Sequence, residues 1–438
     1  MQRSNFNNCN SMTKLFLAAG FILACLPAVS QQKPNKSAEL FKNDSNFKEV
    51  DLNGVKVRVG DPVEVTSGLG WHVSWSKWER WTFVHLTPLL AKFPDGDLLA
   101  TYTLDPDTQQ NSYFNSAYQI SHDGGRTWGT RYNTLMQHIP MLFLPAPNNS
   151  LVALPSEIMG TGSDPDHNFA GPLVTFEQGG KRVVSEENGF RVVDWPQPVD
   201  AISSPQPKSN WHRTIFFTGS YIKVGTELLA TVYWHGHGAK HIQISLASSK
   251  DGGRTWRYYS DVATWEESLP PESEWTRKPE GPTESSMIRL ADGRLMIVFR
   301  VGEMTAWHLR RSFSSDNGRT WTKPDVLPAW SVEPQLLRLA NGTLALATGR
   351  PGLHLWVTTD PKAPADSWQD VDIAALHNQL IADPAQHILP LHADRPEGGW
   401  NSTSYTGFVQ VAPNKLLLLY DRDPEGAPKG PDDVTRLF

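Results

Sequence analysis

Two glutamates, a tyrosine and a pair of histidines hold most of the chemistry that this 438-residue sequence offers. Six stretches read as β-hairpins. Aligned on their turns, they bring Thr87, Pro140, Glu284, Glu333 and Tyr405 to one position, eight residues ahead of the turn, with Phe216 or Phe217 there in the third. His85 and His138 lie two residues earlier and so share the same strand face, because side chains alternate along a strand. Strands presenting this position to a common axis would gather carboxylates, a phenol and imidazoles. A carboxylate beside a tyrosine takes its proton and makes the phenol a nucleophile, and histidine moves protons near neutral pH. The run Trp234-His235-Gly236-His237 resembles a metal pair, but no third ligand stands nearby, so no metal is expected. Trp234 and His235 remain candidate sugar contacts.

The elements that must position these residues are apolar strands joined by tight turns. The turns are Asp95-Gly96, Asn148-Asn149, the stretch at Gly225, Asp292-Gly293, Asn341-Gly342 and Pro413-Asn414. Between the hairpins an octapeptide recurs: Ser121 to Trp128, Ser249 to Trp256 and Ser314 to Trp321, each S-x-D-x-G-R-T-W. Degraded forms follow Phe176 and Thr358. In this motif the Asp accepts hydrogen bonds from backbone N–H groups of a turn, the glycine allows positive φ, and the Trp packs between sheets. It is a structural lock, and Asp123, Asp251 and Asp316 are read as such. Hairpin plus lock makes a four-stranded antiparallel unit of roughly 45 to 65 residues.

Composition narrows the field. The formal charge is −6 and no Lys/Arg cluster is long enough to track a phosphate backbone, so nucleic acid is not an expected partner. Seventeen Trp residues supply surface on which sugar rings stack, although most are expected between sheets. Met12 is followed by Thr13-Lys14 and the apolar run Leu15 to Leu26, too short for a membrane span, and then by the small-residue site Ala28-Val29-Ser30. Residues 1–30 therefore read as an export signal, 31–50 as a flexible lead-in and 51–438 as one domain, secreted or periplasmic. Lipidation at Cys25 is the alternative, and Leu23 fits it poorly. Cys9 and Cys25 are the two cysteines and both precede the cleavage point, which excludes disulfides, thiol catalysis and Cys/His zinc sites from the mature chain. No cofactor is expected.

The octapeptide is the Asp-box, and a chain with three copies resembles the sialidase superfamily of β-propellers. That resemblance covers about residues 80 to 425 and implies an all-β, six-bladed propeller of four-stranded antiparallel blades, with seven blades as the rival count. The sixth hairpin is followed by too few residues for its outer strands, so a segment around Val55 to Val65 is expected to close the ring. Sialidases are similar in carrying a Glu at the head of the fourth blade with an Arg at the end of the next strand, matched by Glu284 and Arg300. They also carry a nucleophilic Tyr in the sixth blade, matched by Tyr405. Their acid/base Asp lies in the loop after the first hairpin, where Asp105 and Asp107 stand.

The departure is in the arginines that bind the substrate carboxylate. Leu86 occupies the first, the start of the fifth blade offers none, and Arg300 is retained with Arg350 as a replacement candidate from the neighbouring blade. Two lost arginines at ~1.5–3 kcal/mol per charge-assisted bond make ordinary sialic acid a poor fit. Three readings follow. The first is an exo-acting glycoside hydrolase releasing a terminal, acidic sugar, with Tyr405 as nucleophile, Glu284 as its base, Arg300 as substrate ligand, and Asp105, Asp107 or His85 as acid/base. Glu333 and His138 would contact the sugar. The second is a uronate-directed lyase using His85 or His138 with Tyr405 and Arg300. The third is a non-catalytic glycan-binding propeller.

Overall fold

All six expected turns close hairpins in the computed structural model. Gly96 (φ 100°) donates to Phe93 O at 2.9 Å, and Asn148 and Asn149 take φ of 58° and 55°. Residues 46–67, 69–74, 77–82, 88–103, 116–134, 140–155, 157–160, 169–197, 199–200, 213–274, 279, 281–302, 307–360, 362–389, 403, 405–422 and 436–438 are described. The export segment and Cys25 lie outside them. Among the described residues no helix is long and apolar enough to cross a membrane, and no cluster of three His, Cys, Asp or Glu is placed to hold a metal.

The fold is all-β, built from four-stranded antiparallel sheets. The first comprises Leu89–Lys92, Leu98–Thr103, Ser116–Ser121 and Tyr132–Thr134, and the second Pro140–Ala146, Ser150–Pro155, Phe169–Glu177 and Arg182–Val193. The third holds Arg213–Val224, Glu227–Gly236, Ile242–Ser249 and Thr255–Ala263. It is joined to the second by a short parallel ladder in which Trp256 faces Val192. The fourth is Ser285–Arg289, Leu295–Phe299, Arg310–Ser314 and Asp325–Val326, and the fifth Val332–Arg338, Leu344–Gly349, His354–Thr358 and Gln369–Asp372. The sixth takes Thr406–Ala412, Lys415–Arg422 and Arg436–Leu437 from one end of the described chain and Thr66–Ser67 from the other.

Successive sheets bury their apolar faces against each other. Phe93 and Phe176 pack between the first and second, Leu144 and Phe217 between the second and third, and Leu246 and Ile297 between the third and fourth. Met296 and Leu346 follow, then Leu355 and Phe408, and Tyr102 with Leu419 joins the sixth sheet back to the first. A cavity of about 330 Å³ is lined by the first strand of every sheet, with Leu90, Met141, Tyr221, Met287, Leu336 and Phe408 among its walls. Where the sixth sheet meets the first, the backbones come so close that a Cβ on Gly407 would lie 2.7 Å from Pro88 O.

The Asp-boxes lock outer turns as expected. Asp316 accepts from Arg319 N (3.0 Å), Thr320 N (2.9 Å), Thr320 Oγ1 (2.6 Å) and Ser314 Oγ (2.8 Å). These bonds, the Thr320 hydroxyl foremost, hold its carboxyl well below the usual carboxylate range. Asp123 and Asp251 repeat the pattern. The motif does more than turn the chain. A Cβ on Gly125, Gly253 or Gly318 would come within 2.5, 2.3 and 2.7 Å of Leu417, Leu144 and Leu246, each on the preceding sheet. The same turn therefore seats each of these sheets on its neighbour.

The N-terminal side closes the ring as expected, but through Thr66–Ser67, just past the expected Val55 to Val65, with Val65 N donating to Leu437 O at 2.7 Å. Val55–Gly60 instead pairs with Phe47–Leu52, so ordered structure begins inside the stretch assigned to the lead-in. The reason is burial: Val50, Leu52, Val57 and Val59 alternate along this hairpin and pack against the cluster between the fifth and sixth sheets.

Candidate active site

Glu284 stands at the head of the fourth sheet because its carbonyl accepts from Arg300 N (3.0 Å) one rung beyond the Ser285–Phe299 pair. That rung puts the two side chains side by side. Arg300 Nη1 donates to Glu284 Oε2 at 2.7 Å, with only 6% and 13% of the side chains exposed. The same oxygen accepts from the backbone N–H of Glu333 at 2.8 Å, which ties the fourth sheet to the fifth. Glu333 adopts φ of 40°, in the left-handed region, next to a register irregularity between Val332 and Gln335. Holding a non-glycine residue there costs about 1–3 kcal/mol. Its N–H is thereby turned to Glu284.

The carboxyl of Glu333 is buried at 4% exposure. Burial, and after it the negative charge of Glu284, push its pKa well above the usual carboxylate range, while Arg300 and a backbone bond from Gly219 act in the opposite sense. One carboxylate thus sits in an ion pair while burial favours the neutral form of its neighbour. In the adjoining sheets the Arg350 guanidinium lies 5.7 Å from the Tyr405 ring centroid, and Thr403 Oγ1 donates to Gly352 O at 2.9 Å, fixing the approach to Tyr405. Val332 N donates to Arg350 O (3.2 Å), so Arg350 and Glu333 flank one backbone rung.

Of the sequence candidates, the structure brings Glu284, Arg300 and Glu333 into one bonded cluster and sets Arg350 against Tyr405. His85, Asp105, Asp107 and His138 lie outside the described residues. Trp234 is a correction. It is fully buried in the core between the second and third sheets, donates Nε1 to Ser245 Oγ (2.9 Å) and meets Trp195 edge to face, so no sugar reaches its ring. His235 follows it on the same strand, where its backbone pairs with Asp200 and Ile242.

Two positioning residues escaped the sequence reading. Gly281 (φ 103°) precedes Glu284 by three residues, and a Cβ there would come within 2.7 Å of Trp265. His241 stacks on Trp265 at 3.8 Å and 6°. The Gly281-Pro282 pair just ahead of Glu284 was the available signal.

Residues 197–385 match a family model described as a BNR repeat-like domain, a stretch that holds two Asp-boxes together with Glu284, Arg300, Glu333 and Arg350. The likeness to BNR-repeat proteins read from the Asp-boxes is thus borne out over that stretch. No curated protein matches the sequence. Among solved structures, a protein of unknown function from Dyadobacter fermentans has 17% identity and a TM-score of 0.53, covering 86% of this chain and 98% of its own. An alpha-L-arabinanase from Penicillium chrysogenum complexed with arabinobiose has 13% identity and a TM-score of 0.48, over 86% and 98%. A Hadza microbial sialidase has 13% and 0.46, over 80% and 64%. The first of these establishes a shared fold and no activity.

Proposed function

We propose that this chain, whose central part is similar to a BNR repeat-like domain, is an exported glycoside hydrolase on a six-bladed β-propeller, releasing a terminal acidic sugar from a glycan. The observation that carries the reading is the unequal carboxyl pair: Glu284 ion-paired with Arg300 and, bonded to it through its backbone N–H, the buried Glu333, whose pKa burial raises. A carboxylate held in an ion pair beside a carboxyl whose neutral form burial favours supplies a base and an acid for cleaving a glycosidic bond. In this reading Glu284 is the base, Tyr405 the phenol it serves as nucleophile, and Glu333 the donor to the departing oxygen, a role shared in candidacy with Asp105, Asp107 and His85. Arg350 over Tyr405 gives the pocket a second guanidinium, which favours an acidic sugar.

The test is a panel of glycans capped by sialic acid, uronic acids and neutral sugars, with products read by mass and by near-ultraviolet absorbance. The expected result is a saturated monosaccharide, with release lowered at least ~100-fold in Glu284→Gln and Glu333→Gln. An unsaturated product would replace hydrolysis with elimination, and binding with no release anywhere in the panel would leave a lectin. Export is checked by sequencing the mature N-terminus, expected near Gln31.

A further inference from the structure

Serine hydroxyls on the first strands stitch neighbouring sheets together. Ser220 Oγ of the third sheet accepts from Met287 N of the fourth (2.9 Å), and Ser286 Oγ of the fourth accepts from Leu336 N of the fifth (2.9 Å). In the fifth sheet Gln335 takes this place, six residues ahead of its turn at Asn341 as Ser286 is ahead of Asp292. Its amide leaves the seam and reaches past the fourth sheet to the third. A Cβ on Gly219 would lie 3.5 Å from Gln335 Nε2 and 3.6 Å from its Oε1, and 3.3 Å from Met141 O on the second sheet. First strands of three sheets thus meet around one side chain, at the wall of the central cavity that all three line.

Gln335 Nε2 is buried, and no group among the described residues bonds it. A buried donor left unpaired costs about 1–3 kcal/mol, so a partner is expected from outside the chain. Glu333 lies two residues earlier on the same strand, which keeps the two Cα atoms within about 7 Å. We propose that Gln335 is a specificity-determining residue, its amide bonding a hydroxyl of the terminal sugar at the floor of the pocket. This deepens the glycoside-hydrolase reading and rests on it for the place of the sugar. A carboxylate can only accept hydrogen bonds, and in that reading guanidinium groups meet it. A primary amide both donates and accepts, as a hydroxyl does. Gln335 therefore reads the uncharged part of the sugar.

The experiment is an NMR titration of the ¹⁵N-labelled glutamine side-chain amides with free sialic acid, glucuronic acid and galactose. The Gln335 signal is identified by its loss in Gln335→Leu. At least one of these sugars is expected to move that signal saturably. Gln335→Leu, close in volume but without the amide, should weaken binding of the same sugar about 3–10-fold, the size of one neutral hydrogen bond. If that variant loses its cooperative melt, Gln335→Met decides by the same criterion. A signal that no sugar moves, or undiminished affinity in the folded variant, overturns the proposal, and water alone then satisfies the amide. Failure of the hydrolase reading shows separately, as a moved signal and weakened binding with no sugar released from any capped glycan. Release with the Gln335 signal unmoved retains hydrolysis and rejects the floor contact.

Discussion

Replacing Arg300 by Met removes one member of a buried pair and leaves the other without its counter-charge. Glu284 then stands with its carboxylate mostly shielded from water, next to Glu333 and without the Nη1 bond of 2.7 Å. Deleting one partner of a buried pair costs about 3–5 kcal/mol, because the survivor keeps its desolvation penalty. For a unit spanning Lys36–Phe438, an unfolding entropy of ~2.1 cal/mol/K per residue converts this into a Tm drop of about 4–6 °C at neutral pH. Scanning calorimetry at pH 7 measures it. Adding Glu284→Leu to Arg300→Met should restore more than half of the loss, since the stranded charge disappears with its partner. A single variant melting within about 1 °C of the wild type would refute the buried-pair account.

Further outcomes can be checked on the same protein. Burial raises the folded-state pKa of Glu333 above its ordinary 4.5, so the folded state binds the proton more tightly and stability falls as pH rises from 4.5 toward the folded value. Melting curves of Glu333→Gln should therefore coincide with the wild type below 4.5 and rise above it beyond that window. Asp316 has the opposite sign: its depressed pKa gives stability present above 3.8 and lost as pH falls below that value. Asp316→Ala is expected to lower Tm by about 1–2 °C and to leave glycan turnover unchanged. Gly281→Ala forces a Cβ to 2.7 Å from Trp265 at φ 103°, displacing the segment that carries Glu284. Its effect should be a fall in kcat of on the order of 10²-fold with the Asp-box turns intact by hydrogen exchange.

Local rules made the hairpins and Asp-boxes readable in advance. An Asp-Gly or Asn-Gly turn between apolar strands depends on neighbours in sequence, and so does a carboxylate accepting from N–H groups three and four residues ahead. The ring position of Glu284, Glu333 and Tyr405 followed from counting back along strands from those turns. What escaped was set by distant packing. Trp234 reads as an exposed loop aromatic beside His235, yet the second sheet covers it. Phe47 to Val50 reads as the end of a polar leader and Val55 onward as a ring-closing strand, yet the alternating Val and Leu residues of both pack together against the fifth and sixth sheets. The bond from the Glu333 N–H to Glu284 joins two sheets through a backbone group that every residue but proline possesses, so the identity of Glu333 carries no trace of it.

The pairing of Thr66–Ser67 with Arg436–Leu437 bears on how the chain reaches this state. Glu64 and Arg436, bonded across that junction, are 372 positions apart, whereas each of the other five sheets takes its four strands from one continuous stretch of chain. Loop-closure entropy must be met before such a remote contact returns any energy, and a high contact order slows acquisition of the native state. Five sheets can thus nucleate locally and early, and sealing the sixth is expected to be the slow, concluding event of refolding, seen as a late phase in stopped-flow refolding.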